Sequence, residues 1–104
     1  MEQQISIQDE YLWIQMPVEL DHTVVESIRK EADVNMMQEA VESIVFDFSK
    51  TRFMDSSGIG LIVGRYKKIQ CLGGEVLVVH ANSRIKQMFT MAGLKEFIRI
   101  VEEQ

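Results

Sequence analysis

Apolar and polar residues alternate near the start of the chain, whereas later segments are apolar almost without interruption. The alternation over 5–7 and 11–14 predicts two short strands, joined by a hairpin turn at 8–10. The nearly continuous apolar segments 44–48 and 76–79 are typical of central strands in a parallel sheet, with both faces covered. The sequence therefore predicts a sheet that begins with a hairpin and continues with buried strands.

Helical periodicity follows the hairpin. Pro17 ends the second strand, because proline cannot donate to a sheet ladder. Thr23 and Glu26 fit a capping box, which predicts that a first helix begins at Thr23. Its core positions recur at helical spacing: Val24, Val25, Ile28 and Ala32. Whether residues 33–40 extend this helix or form a loop stays open on the sequence.

Residues that typically cap or terminate helices indicate two further helices. The second follows Asp55 and ends at Gly73, since glycine readily adopts the left-handed conformation that closes a helix. The third is capped by Asn82 or Ser83 and ends at Gly93. Its apolar stripe is formed by Ile85, Met88, Phe89 and Ala92.

This order of elements predicts an α/β fold. A hairpin followed by alternating strands and helices, with a last strand over 97–101, makes a mixed sheet of four to five strands with helices packed on it. Right-handed crossovers put the helices on one face or divide them between two. With 104 residues and 46% hydrophobic content, the chain can bury one core, so residues 1–104 are expected to form a single domain.

Composition and charge narrow the function classes. The net charge of −5 disfavours nucleic acid as a partner. No apolar segment approaches the ~18 residues of a membrane span, so we expect no membrane contact. The N-terminus lacks a secretory signal and Cys71 is the only cysteine, which together indicate the cytoplasm. Residues 1–55 carry 12 acidic and 4 basic side chains, whereas residues 56–104 carry 4 and 7. An acidic surface can attract a basic partner, although solvated faces without a partner explain the charges equally well.

The most informative segment is 53–58, Phe-Met-Asp-Ser-Ser-Gly, where an apolar strand gives way to the second helix. Asp55 is the expected N-cap, and Ser56 and Ser57 lie in the first turn. Free backbone N–H groups and the helix dipole make a helix start favourable for negative charge, so a phosphoryl group on one of these hydroxyls is tolerated there. The alternative is that the two serines only help to start the helix.

The second helix has two different sides when its residues are projected at about 100° per residue. The side assigned to the core contains Ile59, Ile62, Val63, Tyr66 and Ile69. The other side is flat and contains Ser57, Gly60, Leu61, Gly64, Lys68 and Cys71. Because each helical glycine costs about 1 kcal/mol relative to alanine, close approach by another macromolecule explains this side. The alternative is that a neighbouring segment of the same chain crosses there.

These residues resemble the phosphoacceptor helix of the STAS-domain anti-sigma factor antagonists of bacteria. The resemblance is carried by the run 55–67, Asp-Ser-Ser-Gly-Ile-Gly-Leu-Ile-Val-Gly-Arg-Tyr-Lys, and is supported by 19–22, 73–75 and 91–94. It spans nearly the whole chain. Within the family, the chain is most similar to the sporulation antagonists that free sigma-F, and next to those of the general stress response.

The resemblance implies a partner-switching module that is not an enzyme and uses no cofactor. The unphosphorylated antagonist would bind an anti-sigma factor that is also a serine kinase, and the sigma factor would be released. The kinase would phosphorylate Ser57 and so end the binding, and a separate serine phosphatase would restore the hydroxyl. By the same motif match, the partner-binding residues are Asp21, Ser56, Ser57, Gly60, Leu61 and Gly64.

The competing interpretation is a module that binds a small ligand such as a nucleotide or a lipid. The glycines of the second helix are spaced one residue too widely for the dinucleotide fingerprint, and no Walker loop is present. A hydrolase is not indicated, because Gly-x-Ser-x-Gly is absent and His22 and His80 have no recognisable spacing to Ser57. Cys71 alone cannot build a zinc site, so no metal is expected.

Overall fold

The computed structural model describes residues 4–38 and 40–102. The first element of the fold is a hairpin. The strands are β1 (Gln4–Gln8), β2 (Tyr11–Gln15), β3 (Glu19–Leu20), β4 (Ser43–Asp47), β5 (Phe53–Met54), β6 (Val76–Val79) and β7 (Arg99–Ile100), and the helices are α1 (His22–Gln38), α2 (Ser56–Cys71) and α3 (Ser83–Met91). Asp9 and Glu10 form the turn of the hairpin, with φ angles of 52° and 70°. Positive φ at both positions matches the right-handed twist of the strands, and the predicted hairpin is confirmed.

Five strands form one mixed sheet in the order β1-β2-β4-β6-β7. β1 is antiparallel to β2, and each of the other neighbouring pairs is parallel. The predicted α/β fold with a mixed sheet of four to five strands is therefore confirmed. The last strand is shorter than the predicted 97–101, because the amides of Phe97 and Ile98 donate back to the carbonyl oxygen of Leu94 in a turn.

The helices pack on one face of this sheet. Alternate residues of the central strands share a buried cluster with residues from all three helices: Leu12, Ile14, Ile44, Phe46, Val76 and Val78 from the strands, and Ile28, Ala32, Ile62, Ile69, Ile85 and Phe89 from the helices. The intervening residues Trp13, Val45 and Leu77 are aligned across the sheet and lie on its other face, which we call the helix-free face because no helix of the described residues packs there. All five residues of β4 are nevertheless buried, as its apolar sequence predicts.

α1 begins one residue earlier than the capping box predicts. Asp21 precedes the helix, and its Oδ1 atom accepts hydrogen bonds from Thr23 N at 2.9 Å and from Thr23 Oγ1 at 2.5 Å. Asp21 is therefore the capping residue, and the prediction that assigned this role to Thr23 is wrong. The helix continues to Gln38, so most of the segment that the sequence leaves open is helical.

The other helix ends follow their signals. Gly73 has a φ of 81°, the left-handed conformation expected after α2. Gly74 comes so close to the neighbouring backbone that an added Cβ atom would lie 1.5 Å from the carbonyl oxygen of Glu42. Asn82, one of the two candidates, caps α3. The glycine pair thus lets the chain turn tightly from α2 into β6.

The side of α2 that faces the core differs from the predicted one. Ile62 and Ile69 are buried as predicted, but Leu61 is only 4% exposed and Arg65 only 5% exposed. Three residues assigned to the core are only half-buried: Ile59, Val63 and Tyr66. The prediction that put Leu61 on an exposed, partner-facing side is therefore wrong. The physical reason for this difference is that Arg65 lies in the protein interior. The buried side of α2 is therefore turned toward Leu61.

A buried ion pair explains why Arg65 faces the core. Its Nε atom lies 3.2 Å from Asp33 Oδ1 on α1, while Arg29 and Lys68 bring charged nitrogens to 3.5 and 3.3 Å from Asp33 Oδ2. Burial lowers the pKa of Arg65, and the Asp33 carboxylate opposes that effect. Because a guanidinium remains charged in proteins, Asp33 is needed to hold this charge inside. The pair thereby fixes α1 against α2.

Removal of the Asp33 carboxylate should leave the buried charge without a partner. We expect Asp33→Ala to lower the free energy of unfolding by about 3 kcal/mol, as measured by urea denaturation. The double variant Asp33→Leu/Arg65→Met should recover most of that loss, since an apolar pair needs no charge compensation. Equal stability of the single and the double variant would show that the ion pair does not hold the two helices together.

Candidate functional site

Two helix starts meet at one corner of the fold. β3 and β5 form a small parallel sheet with Leu20 opposite Met54. The next residues along the chain are Asp21 and Asp55, which immediately precede α1 and α2. The positive dipole ends of both helices therefore lie side by side. The sequence indicates the apolar strand before Asp55 but not its pairing with β3, because two-residue strands leave no periodic pattern.

The Asp55 carboxylate connects the two helix starts. Its Oδ1 atom accepts a hydrogen bond from Ser57 N at 2.9 Å and another from the Ser57 hydroxyl. Its Oδ2 atom accepts from His22 N at 3.1 Å, and the ring nitrogen Nδ1 of His22 lies 3.6 Å away. Asp55 is therefore the N-cap of α2, as predicted, and also binds the first residue of α1.

Hydrogen bonds favour the charged form of both carboxylates at this corner. The Ser57 hydroxyl is the main cause that lowers the pKa of Asp55, and the amides of Ser57 and His22 act in the same direction. The hydroxyl and amide of Thr23 lower the pKa of Asp21, against a smaller opposing effect of the Asp55 charge. The Ser57 hydroxyl thus donates to a carboxylate that interacts with a second negative charge, that of Asp21.

The two serines of the motif differ in exposure. Ser56 is exposed, whereas Ser57 is half-buried and turns its hydroxyl back to Asp55. The next residue, Gly58, is buried, and an added Cβ atom there would lie 2.6 Å from Met54 Cγ. The first turn of α2 therefore sits directly on β5, which fixes the position of the Ser57 hydroxyl.

The glycine side of α2 is open. A Cβ atom added at Gly60 or Gly64 would meet no atom within 4 Å. Within the described residues, no neighbouring segment of the chain therefore crosses the helix at Gly60 or Gly64, although α1 does reach the same side at Lys68 through Asp33. Ser57, Gly60 and Gly64 recur at helical spacing. We call this row the glycine strip, and the Ser57 hydroxyl lies at its N-terminal end.

A groove of about 330 Å³ lies beside the serines, between α2 and α3. Its lining residues are Ser56, Ile59, Met88, Met91 and Ala92. Sequence reasoning misses this surface because it assigns Ile59, Met88 and Ala92 to buried stripes. Met91 is 78% exposed, and its position outside the apolar stripe of α3 is the signal that points to the groove.

Other kinds of site are not formed by residues 4–38 and 40–102. No group of three or more histidine, cysteine, aspartate or glutamate residues is arranged there to hold a metal ion. None of the helices in these ranges has the length and apolarity needed to cross a membrane. A second groove, of about 410 Å³, crosses the helix-free face and is lined by residues that include Trp13 and Arg99.

Comparison with known proteins finds relatives of this chain. A profile of the STAS domain matches residues 2–103. The anti-sigma F factor antagonist of Paenibacillus polymyxa is 34% identical over 93 residues, which cover 89% of this chain and 80% of that protein. The protein of the same description from Lysinibacillus sphaericus is 30% identical over 86 residues, which cover 83% of this chain and 74% of that protein.

Solved structures show the same fold. The anti-sigma factor antagonist SpoIIAA in its unphosphorylated form is 30% identical and superposes with a TM-score of 0.86, covering 98% of this chain and 90% of that chain. The phosphorylated form of SpoIIAA from Bacillus, also 30% identical, superposes with a TM-score of 0.79 over 98% of this chain and 93% of that chain.

The charge of Asp55 should contribute stability that depends on pH. Because its pKa is lowered in the folded protein, the contribution is complete above the ordinary value of about 3.9 and is lost as the pH falls through the folded value. Asp55→Asn keeps an acceptor oxygen but removes the charge. We expect its Tm to lie below that of the wild type at pH 7, and the difference to shrink as the pH falls below about 4.

Thermal unfolding by circular dichroism across this pH range checks the prediction. Glu96→Gln, which removes an exposed carboxylate in the turn after α3, is the control and should leave the pH profile unchanged. A Tm difference between Asp55→Asn and the wild type that is equal at all pH values would contradict the electrostatic explanation.

Proposed function

This chain belongs to the STAS-domain family of anti-sigma factor antagonists, and from that premise we propose that Ser57 is the phosphorylation site that controls its binding. The unphosphorylated protein binds an anti-sigma factor that is also a serine kinase, and the sigma factor is thereby released. The kinase transfers a phosphoryl group to Ser57, which ends the binding, and a serine phosphatase restores the hydroxyl. In this cycle the chain is a ligand and a substrate, not an enzyme.

The position of the Ser57 hydroxyl carries the proposal. It lies in the first turn of α2, next to the start of α1, where the two helix dipoles favour an anionic group and the amides of Ser57 and His22 already donate to the Asp55 carboxylate. SpoIIAA has been solved in both an unphosphorylated and a phosphorylated form, and this chain superposes on both over 98% of its length. A fold common to the two forms of that relative supports a switch that acts on binding and leaves folding intact.

Phosphorylation would change this corner in two ways. The Ser57 oxygen would lose its proton and could no longer donate to Asp55. The phosphoryl group would add about −1.5 to −2 charges at pH 7 beside the carboxylates of Asp55 and Asp21. The helix dipole would favour that charge by only some tenths to about 1 kcal/mol. A partner that covers the corner would also have to desolvate the dianion, and this cost opposes a docked complex.

The proposed partner surface consists of the accessible residues around this hydroxyl. Ser56 and Gly60 are exposed, and the backbone of Gly64 is open to close approach. Asp21 lies at the adjoining helix start and adds an acidic edge. Leu61 is excluded from direct contact because it lies in the core. The surface is therefore flat along the glycine strip and negatively charged at its end.

Substitutions of Ser57 should separate binding from its control. We expect Ser57→Ala to bind the anti-sigma factor with wild-type affinity but to accept no phosphate. Ser57→Asp should weaken binding at least tenfold while its Tm stays within about 2 °C of the wild type, because a helix start tolerates negative charge. Isothermal titration calorimetry measures binding, and intact mass after incubation with the cognate kinase and ATP measures phosphorylation.

The adjacent serine provides a matched control, since Ser56→Ala should gain one phosphate as the wild type does. A phosphate that maps to another residue would contradict the assignment, and a large loss of Tm in Ser57→Asp would contradict a switch of binding alone. Absence of modification by the kinase, together with tight binding of a nucleotide or lipid, would favour the ligand-binding alternative. The groove beside Trp13 would then be the site to examine.

The glycine strip permits a test of close approach. Gly60→Ala should raise the free energy of unfolding by about 0.5–1 kcal/mol, because alanine favours a helix and the added methyl group meets no atom of this chain. The same methyl group should weaken binding of the anti-sigma factor tenfold or more. Gln70→Ala, exposed on the same helix outside the strip, is the control. A more stable Gly60→Ala variant with unchanged affinity would remove Gly60 from the proposed surface.

A further inference from the structure

β1 is an open edge of the five-stranded sheet. It pairs with β2, and no other strand among the described residues lies on its second side. An unpaired strand edge presents a row of free N–H and C=O groups that can pair with another chain. Proteins usually protect such an edge with charged residues, a proline, a bulge or a very short strand.

β1 has none of these protections. Its sequence, Gln-Ile-Ser-Ile-Gln, contains no charged residue and no proline, and its register with β2 is continuous over all five residues. The other edge of the sheet differs, because β7 has only two residues and one of them is Arg99. Ile7 is 38% exposed. The β1 edge is therefore comparatively long, uncharged and partly apolar.

The hairpin determines which peptide groups of β1 point outward. Gln8 and Tyr11 flank the two-residue turn and so exchange hydrogen bonds with each other. Because hydrogen-bonded and non-hydrogen-bonded pairs alternate in an antiparallel ladder, Ser6 also bonds to β2. The N–H and C=O groups of Ile5 and Ile7 consequently point away from β2, toward the open edge.

We propose that β1 pairs with β1 of a second copy of this chain, antiparallel, about a two-fold axis that passes beside Ser6. In this register Ile5 of each copy lies opposite Ile7 of the other, and each such pair exchanges both N–H···O bonds. The two sheets then continue as one. The side chains of Ile5 and Ile7, which lie on the core side opposite Ile14 and Leu12, also meet across the axis.

Symmetry selects a second copy as the occupant. Antiparallel pairing of identical strands closes a two-fold interface, so assembly through this edge stops at the dimer. The net charge of −5 on each copy opposes association and keeps the dimer weak, while β1 itself brings no like charges to the contact. α2 packs on β6, which β2 and β4 separate from β1, so the Ser57 corner stays accessible in both copies.

Sedimentation velocity and amide exchange test this dimer in the wild-type protein. A single pair of strands forms an interface below about 1,200 Å², which is typical of weak complexes, so we expect the dimer fraction to rise between about 10 µM and 1 mM. Over this range the amide protons of Ile5 and Ile7 should exchange several-fold more slowly, whereas that of Ser6 should change little. A protein that stays monomeric at the higher concentration overturns the proposal.

Variants distinguish this edge from other apolar surfaces. Ile7→Pro removes an outward N–H group without removing a bond to β2, and Ile7→Lys adds charge to the edge. Both should be monomeric at about 1 mM with the circular dichroism spectrum of the wild type. Val34→Lys is the matched control, because Val34 is 49% exposed on α1, and it should dimerise as the wild type does. Dimers that persist in both Ile7 variants overturn the proposal, and so do dimers that disappear equally in Val34→Lys. If an Ile7 variant unfolds, the amide exchange of the wild-type protein decides whether β1 forms the interface.

Discussion

The Asp55 carboxylate is the group on which the rest of the site depends. It accepts hydrogen bonds from the amides of Ser57 and His22, and so it joins the start of one helix to the start of another. The pairing of β3 with β5 makes this contact possible, because it places the ends of the two strands side by side. Hydroxyl, carboxylates and helix amides are thereby held within one corner, an arrangement that is sensitive to added charge.

The two helices that form this corner are also joined farther along their length. The ion pair between Asp33 and Arg65 links α1 and α2 inside the protein. Removal of one partner there lowers the free energy of unfolding, because it leaves a buried charge uncompensated. Gly58 adds a third restraint, since it lets the first turn of α2 rest on the Met54 side chain. These restraints hold the two helix starts from beneath, away from the exposed groups of the corner.

Much of the fold follows from local pattern, and the exceptions depend on contacts between distant segments. Alternating and continuous apolar segments are enough to predict the hairpin and the central strands. The cap of α2 can also be predicted from the residues around Asp55. The pairing of β3 with β5 is not predictable in this way, because strands of two residues are too short to indicate their neighbour. Arg65 and Leu61 show the same limit: a charged residue enters the core only because tertiary packing supplies Asp33, and the helix face shifts with it.

Trp13 is the only tryptophan of the chain, and it lies on the helix-free face, where its Nε1 atom donates to Asp47 Oδ2 at 3.4 Å. Asp47 is the last residue of β4, so the surroundings of the indole depend on the pairing of the central strands. The Ser57 corner lies on the helical side of the molecule. Intrinsic fluorescence at this single ring therefore reports whether the sheet is intact, which gives the protein an optical probe of unfolding that lies away from the Ser57 corner.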